Sequence, residues 1–108
     1  MQHLKDEEIV HRIVDNNDTK LQTVLYNRYY DKVYNRCHSY LRNGDLAEEF
    51  TQEIFIKVFE KLKSFRRSSS FATWLYTITI NYCIDYSRKK SKSGILEYMT
   101  SQELPDVM

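Results

Sequence analysis

Two glycines and one proline in 108 residues constrain this chain more than any other feature. Glycine reaches left-handed backbone angles freely and proline presets a turn, so these two residues mark most tight reversals. A sandwich or barrel of short strands needs a reversal roughly every ten residues. Too few are present, which leaves long helices joined by brief links. The expected fold class is all-α, a compact bundle of about four helices. With 42% hydrophobic and 29% charged residues, the chain can bury one modest core and is unlike a disordered segment. No apolar run approaches the roughly 20 residues of a membrane span. The opening MQHLKDEEIV is acidic and lacks the apolar stretch of a secretion signal. Cys37 and Cys83 make no disulfide framework; they suit a reducing compartment and read as small buried hydrophobes. The expected location is cytoplasmic.

Hydrophobic spacing places the helices. The first is expected from about Lys5 to Asn16, with Asp6, Glu7 and Glu8 in the first turn and Ile9, Val10, Ile13 and Val14 as its apolar stripe. Asn16-Asn17-Asp18 breaks it, and Asp18 can cap the next. The second carries Leu21, Val24, Leu25, Tyr29, Val33, Cys37, Tyr40 and Leu41 at steps of three and four. Gly44 suits the left-handed position after its end. Asp45 and Glu48 have capping-box spacing, so the third helix is expected to open at Asp45 and run to Lys63. Residues 63–70 read as a loop, and Ser70 can cap a fourth helix from Phe71 to about Lys90. That helix is expected to fray into Ser91-Lys92-Ser93-Gly94. Residues 1–93 then form the domain, and 94–108 a linker or disordered tail.

The net charge of +1 hides an uneven distribution. Residues 64–94 hold Arg66, Arg67, Arg88, Lys89, Lys90 and Lys92 against Asp85 alone. Such a segment suits anion binding, or cations complementing a helix dipole. The third helix is two-faced. Ala47, Phe50, Ile54, Phe55, Val58 and Leu62 fall within one half-turn and read as core. Opposite lie Glu49, Gln52, Glu53 and Ile56, at i, i+3, i+4 and i+7, with Phe59 at the margin. An apolar centre with a carboxylate and amide rim suits a partner helix, although single exposed apolar residues also occur on plain solvated faces.

The stretch KSFRRSSSFATWLY joins two arginines, four serines and four aromatic rings. Arginine contacts phosphate and stacks on bases, and rings give unpaired bases a platform. Unstacking a base costs a few kcal/mol, comparable with one or two such contacts. On the fourth helix Phe71, Trp74, Leu75, Ile78 and Tyr82 read as core, while Thr73, Thr77, Ile80, Ile84, Ser87 and Arg88 lie on the far side. No carboxylate occurs between Phe71 and Ile84 to repel phosphate.

The order of these segments resembles the second region of bacterial sigma factors, in particular the extracytoplasmic-function group. Asp45 to Phe55 follow that family's D-x-A-E-D-hydrophobic-x-Q-E-hydrophobic-F pattern. Lys61 to Arg66, Phe71 to Tyr76 and Asp85 to Lys89 match its S-F-R, T-W-L-Y and D-Y-x-R-K segments, and LYNRYYDKVYNRC its preceding helix. The resemblance covers about residues 4–93. It implies a promoter-recognition domain of an alternative sigma factor that docks on core RNA polymerase, recognises the minus-ten element and stabilises strand separation. Glu49, Gln52, Glu53 and Ile56 would meet the clamp coiled coil of the largest polymerase subunit. Ser64, Phe65, Arg66, Arg67, Ser68, Ser69 and Ser70 would hold a flipped base of the non-template strand of promoter DNA. Thr73, Trp74, Thr77 and Asn81 would contact the element, and Arg88 and Lys89 its phosphates. An anti-sigma factor is an implied partner; no cofactor is implied. Thr77 and Thr79 stand where many members carry Arg and Ala, and Glu49 where Asp is usual. The family's second, helix-turn-helix domain is missing from these 108 residues, so a fragment of a longer protein is expected.

Two other classes compete. One is a helical interaction module that titrates a partner without binding DNA. The other is an enzyme, disfavoured because His3, His11 and His38 are scattered, and because no metal-ligand spacing or Gly-rich phosphate loop occurs.

Overall fold

The computed structural model describes residues 4–65 and 69–98, with side chains as far as Lys89. Among them are four α-helices and one 3₁₀ turn: α1 (Asp6–Asn16), α2 (Thr19–Leu41), α3 (Gly44–Lys61), the turn Leu62–Ser64 and α4 (Phe71–Tyr98). The all-α bundle expected from the shortage of turn residues is what forms.

Short polar residues make the links. Asn17 takes the left-handed conformation after α1, and its N–H reaches the Ile13 carbonyl at 2.9 Å. Asp18 follows at once as the cap of α2, its carboxylate accepting from the Lys20 and Leu21 amides at 3.1 Å. The next link differs from expectation. Arg42, not Gly44, adopts the left-handed conformation, with φ 55°. Asn43, not Asp45, caps α3 by accepting from the Leu46 amide at 2.9 Å. With the reversal completed at Arg42 and capping begun at Asn43, Gly44 is already helical. Its lack of a side chain serves proximity instead: a Cβ there would sit 3.2 Å from the Tyr34 hydroxyl. At the far end, α4 runs past Lys90 to Tyr98. A lone glycine at 94 costs a helix only about 1 kcal/mol, and no proline interrupts before 105.

The core sits where the four helices meet. Ile9, Val10 and Ile13 enter from α1, and Ala47, Phe50, Ile54, Phe55 and Val58 from α3, with Leu62 just beyond. α2 contributes Leu21, Leu25, Tyr29, Val33 and Cys37, a strict i+4 row, while Tyr40 of the expected stripe is 47% exposed. α4 contributes Phe71, Leu75, Thr79 and Cys83. Its wall therefore runs one turn-step away from the expected one, and Trp74, Ile78 and Tyr82 are half-buried at its edge. Thr79 and Thr51 are fully buried because each hydroxyl donates to the carbonyl four residues back, Leu75 at 2.9 Å and Ala47 at 2.7 Å. Both expected small buried cysteines are in place, free and fully enclosed.

Two acids tie α1 to the rest. Asp6 accepts from Arg28 Nη1 at 2.8 Å and from the Tyr29 hydroxyl. Glu7 accepts from the backbone N–H of Phe71 at 3.0 Å, which satisfies a donor at the start of α4. Ser70 satisfies another there, its Oγ accepting from the Thr73 amide at 3.1 Å.

Candidate functional site

The third-helix stripe is open to solvent. Glu49, Gln52, Glu53 and Ile56 are all exposed, and Ile56 at 55% is among the few large apolar side chains left outside. Phe59 is not part of that surface; it is half-buried against the core, 6.2 Å from the Phe55 ring. Gln52 is fixed by a neighbour the sequence does not reveal: its Nε2 donates to the Tyr26 hydroxyl at 2.8 Å. Tyr26 in turn packs edge-on to Phe55 at 4.7 Å. It begins a row along α2 in which Tyr26, Tyr30, Tyr34 and His38 follow ring to ring at 5.4, 6.2 and 6.0 Å. The repeat of rings at every fourth position is a sequence signal that could have found this row.

On the other side of the stripe α3 meets α4. Burial, then the carboxylates of Glu53 and Glu49, push the Tyr82 hydroxyl above its ordinary pKa. Tyr82 and Tyr86 each stand edge-on to Phe50 at 5.0 Å. With Lys57, Asp85 and Lys89 they line an open cleft of about 400 Å³, and Lys57 Nζ lies 5.8 Å above the Tyr82 ring.

The loop between α3 and α4 is pinned at both ends. Phe65 meets Phe71 at 5.9 Å and Trp74 at 5.2 Å, and Phe71 meets Trp74 at 5.9 Å. This three-ring cluster joins the residue before the loop to the first turn of the helix after it, with Glu7 bonded to the same turn. Ser64 closes the 3₁₀ turn by donating to the Lys61 carbonyl at 2.7 Å. Ser69 donates to the Ser70 carbonyl at 3.3 Å. Arg66, Arg67 and Ser68 lie outside the described residues.

Along α4, Thr73, Thr77, Asn81 and Arg88 are exposed and share one face, whereas Lys89, also exposed, lies about 100° further round the helix on the cleft with α3. That face is opposite the buried row of Phe71, Leu75, Thr79 and Cys83. Thr77 donates its hydroxyl to the Thr73 carbonyl at 2.9 Å and Thr73 Oγ1 accepts from Ser70 Oγ at 3.0 Å, so both hydroxyls are engaged, while Asn81 is exposed on the same face. Trp74 is half-buried, one edge on the ring cluster and the other at the surface. The structure thus brings the loop ends, Trp74, Thr73 and Thr77 together at one end of the bundle. Glu49, Gln52, Glu53 and Ile56 occupy a separate helix. The residues sequence reasoning missed, Tyr26 and Glu7, act across 26 and 64 positions.

No helix among the described residues is long and apolar enough to cross a membrane. The described residues define an all-helical domain in which Ile56 stands exposed among polar groups on α3 and aromatic rings anchor the link from α3 to α4. The Sigma-70 region 2 family model matches residues 25–93, and the chain belongs to that family. Among relatives, it is 41% identical over 69 residues to the extracytoplasmic-function RNA polymerase sigma factor SigW of Bacillus subtilis, covering 64% of this chain and 37% of that one. It is 39% identical over 85 residues to the corresponding sigma-E factor of Escherichia coli, covering 79% of this chain and 44% of that one. The chain therefore spans less than half the length of these relatives. A solved structure of an engineered region 2 of sigmaE in complex with GTAAAA superposes with a TM-score of 0.74 at 32% identity, covering 86% of this chain and 96% of that one.

Proposed function

We propose that this domain is the polymerase-docking and promoter-melting module of an alternative sigma factor of the extracytoplasmic-function group, working in the cytoplasm without catalysis of its own. The observation that carries the reading is the likeness, over most of both chains, to an engineered region 2 of sigmaE that was solved in complex with GTAAAA. Three features of this chain support it. The Glu49, Gln52, Glu53 and Ile56 stripe is exposed and mixes an apolar centre with acidic and amide groups, which suits the side of a partner helix. Tyr26 holds Gln52 in place, so one member of that stripe is preorganised. Phe65 and Phe71 anchor the two ends of the 64–70 segment on packed rings, and the serines and arginines of its sequence are residue types that suit a base or a phosphate.

On this reading the stripe docks on the clamp coiled coil of the largest subunit of core RNA polymerase. The loop receives a base flipped from the non-template strand of the minus-ten element. Thr73, Trp74, Thr77 and Asn81 read neighbouring groups, and Arg88 and Lys89 contact phosphates. An anti-sigma factor is a further partner of the whole protein. The test is capture of core polymerase on immobilised chain. Wild type retains it, while Glu53→Lys and Gln52→Ala retain several-fold less with the fold intact by circular dichroism. Unchanged retention by both variants overturns the docking face.

A further inference from the structure

Cys37 of α2 and Cys83 of α4 are 46 positions apart in sequence, yet their Sγ atoms lie 3.9 Å apart inside the core. Neither side chain has any exposed surface. The surfaces assigned above use neither. A disulfide needs about 2.05 Å between sulfurs, so each Sγ must move about 1 Å, within the play of one side-chain rotation. We propose that Cys37 and Cys83 form a peroxide-sensitive modification site, which an oxidant of the hydroperoxide class converts into an intramolecular disulfide joining α2 to α4.

The two thiols have different parts. Cys83 donates its S–H to Cys37 Sγ, which favours the Cys37 thiolate and disfavours that of Cys83. Cys37 is therefore the attacking sulfur. Its thiolate displaces hydroxide from hydrogen peroxide, breaking the O–O bond and leaving a Cys37 sulfenic acid. Cys83 Sγ then attacks that sulfur, an S–S bond forms, and the sulfenic oxygen leaves as water with the Cys83 proton. Two thiols and one peroxide give one disulfide and two waters; the sulfurs lose two electrons and the peroxide gains them. Enclosure sets the rate. Reagents must wait for local opening, so a small oxidant enters where bulky thiol reagents do not. In a reducing compartment the pair rests as two thiols.

The test treats the folded chain with hydrogen peroxide until its three methionines become sulfoxides, which serves as an internal measure of dose. The protein is then unfolded, alkylated with N-ethylmaleimide and weighed. The expected result is a monomer that takes up no maleimide, weighs 2 Da less than the same three-sulfoxide chain with two thiols, and yields a peptide linking Cys37 to Cys83. Dithiothreitol restores both thiols. The oxidised chain melts at least about 5 °C higher, because the bond closes a long loop in the unfolded state. Cys83→Ala stops at a Cys37 sulfenic acid that dimedone captures; if that variant does not fold, the wild-type peptide map decides alone. Two maleimide-reactive thiols at that dose, links only between molecules, or an unraised melting temperature each overturn the proposal.

Discussion

Glu7→Ala cuts the bond between α1 and the first amide of α4. A carboxylate accepting from a backbone N–H is worth about 1.5–3 kcal/mol, part of it from the helix dipole. Glu7 is half-exposed, so water can replace some of that interaction. The net loss should be about 1–2 kcal/mol, the size of a lost helix cap. For a domain of this length that lowers Tm by roughly 5–15 °C. Glu7→Gln keeps an acceptor oxygen and gives up only the charge, so it should cost about half as much. Urea unfolding followed by circular dichroism measures both, with an unchanged slope showing that the unfolded state is not altered. Ser70→Ala removes the other cap on the same helix start, and the double variant should depart from additivity by about 0.5 kcal/mol or more. A Glu7→Ala stability within about 0.3 kcal/mol of wild type, or a Glu7→Gln loss as large as that of Ala, would refute a stabilising role for this bond.

Three further outcomes follow from the same contacts. Trp74→Ala should cost about 2–3 kcal/mol, less than a fully enclosed tryptophan, because one edge of the ring is at the surface; a cost above about 5 kcal/mol in a urea melt would contradict that placement. Burial and the Asp6 hydrogen bond raise the Tyr29 hydroxyl pKa, so the folded state keeps a proton that the unfolded state releases above pH 10. Stability should therefore fall as pH rises through 10 and beyond, and Tyr29→Phe should flatten that fall; an equal slope in the variant would assign it elsewhere. Gly44→Ala should be tolerated at a cost near zero to 1 kcal/mol, since the Cβ meets only the Tyr34 hydroxyl. A loss above about 2 kcal/mol in a urea melt would show that the Tyr34 hydroxyl cannot give way to a Cβ at this position.

The bundle was legible because its signals are local. The i+4 rows of α2 and α3, the Asp18 and Ser70 caps and the scarcity of glycine each act within a few residues. The α2–α3 link was misplaced because Asn43 and Asp45 both offer cap chemistry, and the geometry of Arg42 decides between them. The core wall of α4 was misplaced for another reason. Thr79 is polar by type, yet an α-helix supplies a carbonyl four residues back that lets its hydroxyl be buried. The stripe on α3 was readable as a pattern. What holds it was not, because Gln52 finds Tyr26, and Glu7 finds Phe71, only after the helices have packed.

The most direct measurement is binding of the chain to a fluorescent single-stranded oligonucleotide carrying a minus-ten element, followed by anisotropy across a salt series. Weak association is expected, with a salt slope of only a few ions, and it should be lost when Arg66 and Arg67 are both changed to Glu while core polymerase capture persists. Binding that ignores salt, or that survives the double charge reversal, would contradict that expectation.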